Sequence, residues 1–378
     1  LSRLSFDRQC CLLQPVYRVT RLAALRRRQR PGGTRELSTV DRRRSMSGLI
    51  DHLNGPDMPL PAPFASLRLP VIAAPMFIVS TPHLVIAQMR SGIVGSFPAL
   101  NARPASQLDE WLCEIEEETE GCEAPLAVNL IVHKSNNRLQ EDLKVLEKHK
   151  VPLVITSLGA MPEVNAAVHG WGGLVFHDVI NDRFARKAVE KGADGLIAVA
   201  AGAGGHAGPQ SPFALMQEIR AWFDGPLALS GAIACGRSIV AAQAMGADFA
   251  YIGTPFIATN EANAASEYKQ AIVDGAAADI VYSSLFTGVH GNYLRASITA
   301  AGLDPDNLPE GDKTQMDFGS GGNTAAKAWK DIWGSGQGIG AISSIEPVES
   351  RIAALETQYR AAMDALRDRV GMASHLVD

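Results

Sequence analysis

The chain has 378 residues, 46% hydrophobic and 20% charged, with 35 glycines and a mean hydropathy of +0.02. That balance excludes a disordered or fibrous protein, and no apolar run approaches the ~18–20 residues that span a bilayer, so one large loop-rich core is expected and no membrane partner. The net charge of −5 is uneven: twelve arginines against Asp7, Glu36 and Asp41 give residues 1–45 a charge of +9 and leave −14 for the rest, an acidic body unsuited to nucleic acid.

In chain order, residues 1–45 come first, and Met46 opens a plausible start, "MSGLIDHL". The Arg-rich extension reads as upstream or disordered sequence, with a targeting piece as the other reading, and is kept out of the fold. From residue 69 on, short apolar or β-branched runs recur: 69–74, 92–96, 126–131, 153–157, 173–177, 195–199, 227–230 and 248–253. Between them, "ASQLDEWLCEIEEETE" and "NNRLQEDLKVLEKHK" place apolar residues three and four apart. "NDRFARKAVEKGAD" ends on a glycine stop, and "SPFALMQEIRAWFDG" opens on Ser-Pro and closes on Gly. Eight such strand–helix units predict a (β/α)8 TIM barrel of the α/β class. A Rossmann sheet is the rival, since "GAGGHA" fits a loose GxGxxA. Its acidic partner should end the next strand, whereas Asp224 precedes one. Residues 46–256 plus 336–370 are therefore assigned to the barrel, and 257–335 to a mainly helical lid inserted after strand 8. The five cysteines form no CxxC pair, which fits a reducing, cytoplasmic setting.

Barrel active sites form at the strand C-terminal ends. Those ends carry Ala74-Pro75-Met76, Ser96, Asn129, Ser157, His177-Asp178, Gly202–His206, Ser230-Gly231 and Gly253-Thr254. No metal-ligand spacing emerges, so no metal is expected. The loops after strands 7 and 8, "SGAIACG" and "GTPFIAT", either cradle a phosphate or are ordinary tight turns; the phosphate is favoured. Small and apolar mouth residues (Met76, Phe77, Met161) suit a flat ring with a phosphate tail, for which flavin mononucleotide (FMN) is the economical candidate. His206 sits among glycines with no other titratable neighbour in its loop, and suits a general base. His177 either faces the mouth or is packed, and His290 either lines a lid or bonds backbone in a turn. Asn129 either meets a flavin or satisfies its own loop.

"APM", "VNL", "AGGHAG", "SGAIACG", "GADFAYIGTPFIAT" and "WGSGQGIGAI", in that order over roughly residues 64–345, resemble the nitronate monooxygenase (2-nitropropane dioxygenase) family. The resemblance implies an FMN-dependent TIM barrel that oxidises alkyl nitronates with O2 to a carbonyl compound and nitrite, with His206 as base. It implies FMN contacts at Asn129, Gly204, Gly231, Tyr251, Ile252, Gly253 and Thr254, with Met76 near the ring and Gln337-Gly338 near the phosphate. Ala74, Pro75, His177, Gly205 and Ser230 complete the expected cofactor set. The chain departs from many members in Val199 and Gly202, where a glutamine and a glutamate are common. His177-Asp178 stands where some relatives carry a lysine near the flavin, and a carboxylate does not stabilise an anionic reduced flavin as a cation would. The alternative within the fold is an NAD(P)H-dependent FMN reductase of an enoyl thioester or quinone. A homodimer is the assembly kept open.

Overall fold

A computed structural model describes residues 63–311 and 331–374; residues 1–45 lie outside the described residues. The eight parallel strands are β1 (Val71–Ala73), β2 (Gly95–Pro98), β3 (Leu126–Ile131), β4 (Leu153–Ser157), β5 (Leu174–Val179), β6 (Gly195–Val199), β8 (Leu227–Ser230) and β9 (Phe249–Ile252). A two-residue strand, β7 (Gly205–His206), lies between β6 and β8 in the chain but outside the barrel. The sheet runs β1-β9-β8-β6-β5-β4-β3-β2, and a parallel bridge between Ile72 and Val94 joins its two ends. The chain is a TIM barrel, as the eight apolar runs predict. The second strand starts later than expected because Gly92, at φ 85°, is still turning out of the preceding helix.

Helices α1 (Pro82–Arg90), α2 (Gln107–Glu118), α3 (Leu139–Lys148), α4 (Pro162–Gly170), α5 (Asp182–Glu190), α6 (Pro212–Arg220) and α7 (Gly236–Ala244) return the chain between strands. Proline at the first turn of α1, α4 and α6 costs no hydrogen bond there. Asn181 caps α5 by accepting the Phe184 N–H at 2.9 Å. Their apolar stripes, such as Leu108, Leu112 and Ile115 on α2, pack on the outer face of the sheet. Inside, Phe64, Phe176 and Phe249 plug the barrel with ring centroids 5.0–6.1 Å apart.

After β9 come the short α8 (Thr254–Ile257) and the excursion expected to be mainly helical. It contains α9 (Ser266–Asp274) and α10 (Arg295–Ala300), and also the antiparallel strands β10 (Ile280–Ser283) and β11 (Gly291–Leu294). β11 pairs with β7, with Gly291 opposite His206 and Asn292 opposite Gly205. The glycine loop after β6 is thereby tied to the excursion. Helix α11 (Val348–Ser374) closes the described chain against α7 and α1. Among the described residues, no helix is long and apolar enough to cross a membrane.

Candidate active site

Strand parity decides which side chains reach the barrel mouth, because successive side chains point to opposite faces. On β5, Leu174 and Phe176 lie in the lumen while Val175 and Val179 pack against helices. Asp178 therefore points inward and His177 outward. The same alternation turns Asn129, Ser157, Val199, Ser230 and Tyr251 inward above the phenylalanine plug.

This layer opens into a cavity of about 1080 Å³. That is the upper end of the range for small-molecule and cofactor pockets, about 300–1000 Å³. Of the expected site residues, Ala74, Pro75, Met76, Asn129, His177, Gly204, Gly205, His206, Ser230, Gly231, Tyr251, Gly253, Thr254 and Gly338 all line it. Two do not. Ile252 is 1% exposed and faces the helix layer, as it must when Tyr251 and Gly253 face inward. Gln337, at the start of a 3-10 turn, is exposed but lies over Gly202: its Oε1 is 3.1 Å from where a Gly202 Cβ would be, and its backbone N–H donates to the Gly202 carbonyl at 2.9 Å. Met161, expected at the mouth, lies outside the cavity at the start of α4.

His177 meets the cavity only at its outer wall. Its Nδ1 is 2.5 Å from Thr156 Oγ1, and burial, aided by Lys191, pushes its pKa down to about 4. The inward residues form a connected set. Asn129 Nδ2 donates to the Ile155 carbonyl (3.0 Å) and to Ser157 Oγ (2.7 Å), and Ser157 Oγ donates to Asp178 Oδ2 (2.5 Å). Burial pushes the Asp178 carboxyl up to about 6 against that hydrogen bond. Tyr251, buried and beside Asp178, is pushed well above the ordinary phenol range.

His206, half-buried on β7, has Nε2 2.9 Å from Thr287 Oγ1. The Thr287 hydroxyl also lies 3.0 Å from the Val289 carbonyl, so one short turn, Thr287–Val289, holds the His206 ring in place. Burial lowers the His206 pKa to about 4 and keeps the ring neutral. Asn292 Nδ2 donates to the Ala203 carbonyl (2.6 Å), and Tyr282 Oη to that of Ala207 (2.9 Å), which pins the loop on both sides of His206. His290 stacks on Tyr282, away from the cavity. Thr287 and Asn292 escape sequence reading because their strand and turn reach His206 only through tertiary pairing.

A flavin-sized group fits these residues. At Gly204 an added Cβ would lie 2.8 Å from the Gly336 nitrogen, so two backbones meet under the cavity wall. At Gly253 a Cβ would find only ordinary contacts, 3.4 Å from Ala74 and 3.5 Å from Met76, which leaves its inner face open to a ligand. Residues 231–234 and Gly253-Thr254 line this side, the expected phosphate cradle. Gly236, also expected there, is instead buried under α11, and its N–H donates to Gln358. Elsewhere on the wall stand the cations Arg103, Lys187 and Lys191, and Asp178 is the one acidic lining residue among those described.

A nitronate monooxygenase from Paraburkholderia phytofirmans is 28% identical over 359 residues, covering 81% of this chain and 96% of its own. The solved nitroalkane oxidase from Streptomyces ansochromogenes superposes with a TM-score of 0.66 at 25% identity, covering 80% of this chain and 99% of its own. FabK from Thermotoga maritima shares the fold, with a TM-score of 0.66 at 24% identity over 80% of this chain and 96% of its own. The family model for nitronate monooxygenase matches residues 97–355, from β2 through the excursion after β9 into α11. Barrel, cavity and matched span agree: the chain belongs to the nitronate monooxygenase family of flavin-dependent oxidoreductases.

Proposed function

We propose that the cavity holds FMN and that the chain oxidises alkyl nitronates with O2 to a carbonyl compound and nitrite, with His206 as the base for neutral nitroalkanes. The observation that carries this reading is the neutral imidazole of His206 at the cavity wall, oriented by Thr287. The neutral imidazole takes the α-proton of the nitroalkane and leaves a nitronate anion beside the new imidazolium. The anion offsets the desolvation that disfavours the charged ring, so His206 becomes a stronger base in the complex than alone. Asn129 and the small residues of 231–234 and 253–254 bind the cofactor, and Met76 and Phe77 wall the ring from water. When bound, the flavin takes electrons from the nitronate and passes them to O2.

His206→Asn is expected to retain flavin and lose roughly 10²–10⁴-fold in kcat/KM on nitroethane. On preformed ethyl nitronate it should lose less than about tenfold, because no proton needs removing. In the unaltered protein, kcat/KM on nitroethane should stay level down to about pH 4 and fall below it, as the imidazole protonates. Equal losses on both substrates would reject His206 as base.

A second reading, an NAD(P)H-dependent reductase of an enoyl thioester or quinone, is favoured by Arg103, Lys187 and Lys191, which suit an anionic nucleotide. Anaerobic bleaching of the flavin by NADPH and not by nitronate would select it.

A further inference from the structure

The Asn129–Ser157–Asp178 set runs in one direction. Asn129 spends its amide hydrogens on Ile155 and Ser157, and Ser157 spends its only hydroxyl hydrogen on Asp178 Oδ2. Every donor is consumed, and the set ends on a carboxylate whose other oxygen, Oδ1, is buried without a hydrogen-bond partner in the protein. A buried acceptor left without a donor costs about 1–3 kcal/mol, more when charged. Asp178 must therefore meet a donor in the cavity or carry its own proton.

Among the described residues, no cation is hydrogen-bonded to Asp178 or shifts its titration. Ser157 on β4 supplies one hydrogen bond, and Tyr251 on β9 is a buried neutral phenol. His177 lies on the opposite face of β5, while Lys187 and Lys191 line the outer wall with α5. Negative charge added to a ring on the lumen side of the cavity would thus lie near Asp178, the one carboxylate among the described lining residues, and the lining cations Lys187 and Lys191 stand on the outer wall.

We propose that Asp178 is a redox-linked proton site, taking up a proton from solvent when the flavin in this cavity is reduced. The inference rests on the reading that the cavity holds a flavin. The balance is two electrons and one proton to the ring, which leaves it anionic, and one further proton to Asp178 Oδ1, which converts carboxylate to carboxylic acid. The electrons come from the nitronate in turnover, or from dithionite in the test. On reoxidation by O2 the Asp178 proton returns to solvent. The raised pKa of Asp178 fits this role, since a group near 6 needs only a modest further rise to protonate at neutral pH.

The test is anaerobic potentiometric titration of the flavin-loaded protein with dithionite and reference dyes between pH 5.5 and 8.5. One extra proton per two electrons makes reduction tenfold harder per pH unit, which steepens the slope by about 30 mV per unit over the same couple without it. Asp178→Asn, which keeps the Ser157 hydrogen bond without the charge, should lose this extra slope and be the easier of the two to reduce at pH 8. Sulfite, which adds to flavin to form an anionic adduct, should bind Asp178→Asn at least tenfold more tightly at pH 8 and equally well at pH 5.5. Ser157→Ala is the second variant, used if Asp178→Asn does not fold; removing the donor to Oδ2 should move the break in slope to higher pH. Parallel slopes and equal sulfite affinities in a flavin-loaded variant would overturn the role of Asp178 alone. A purified protein with no flavin absorbance would overturn the parent reading as well.

Discussion

Gly253 and Gly231 show how differently two glycines of one cavity are constrained. Gly231 adopts φ 144°, and a Cβ there would sit 2.8 Å from the Ala201 carbonyl, so the fold itself needs glycine. Gly253 has φ −116°, open to any residue, and its Cβ would meet only ordinary van der Waals neighbours. Nothing in the protein demands glycine at 253; a ligand approaching its backbone would. Gly253→Ala should therefore leave the urea midpoint of the flavin-free protein within about 0.5 kcal/mol of the parent. The same change should lower flavin retention on gel filtration at least tenfold. Unchanged retention would remove Gly253 from the cofactor cradle.

At the scale of the strand, parity is the rule that sequence reading used least. The runs that become the eight barrel strands are visible as apolar stretches, because a sheet covered on both faces needs apolar residues at every position. That continuity hides which side faces in, so His177 is selected from its chemistry although Asp178 is the inward member of the pair. Ile252 is misplaced for the same reason. Phe176 breaks the ambiguity once its partner is known: Gly195 on β6 leaves the space its ring occupies, and a Cβ there would fall 2.5 Å from that ring. A glycine opening one strand and a phenylalanine centring the next thus fix the lumen face of both. Gly195→Ala should cost about 1–3 kcal/mol, by overpacking the plug. Urea denaturation of the flavin-free protein checks this, with flavin content of the folded fraction unchanged. A neutral result would mean that the ring has room to move, and that the plug does not set the strand faces.

For the whole molecule, three groups around the barrel mouth, His177, Asp178 and His206, have pKa values displaced within the range between pH 4 and 7, and their protonation makes its stability depend on pH. His177 and His206 are depressed from 6.5 to about 4, so the unfolded chain binds more protons than the native one across that window. Their contribution is present above pH 6.5 and is lost as pH falls through 4, up to about 3 kcal/mol each. Asp178 is raised from 3.8 to about 6, so here the native state binds the extra proton. Its contribution is present below 3.8 and is lost as pH rises through 6, again up to about 3 kcal/mol. Two groups oppose one, and acidification from pH 6.5 to 4 should destabilise the flavin-free protein by a net of about 3 kcal/mol. Asp178→Asn removes the opposing member, so it should gain stability at pH 7.5, gain nothing at pH 4, and about double the acid sensitivity. His177→Gln should move the other way and flatten the profile. Urea midpoints at pH 7.5, 5.5 and 4.5 for the three proteins measure this, and superimposable profiles would show that these groups titrate alike in the folded and unfolded chains. The barrel that frames the site is legible from apolar runs alone. This charge balance is not, because it depends on burial that appears only when eight strand ends converge on one cavity.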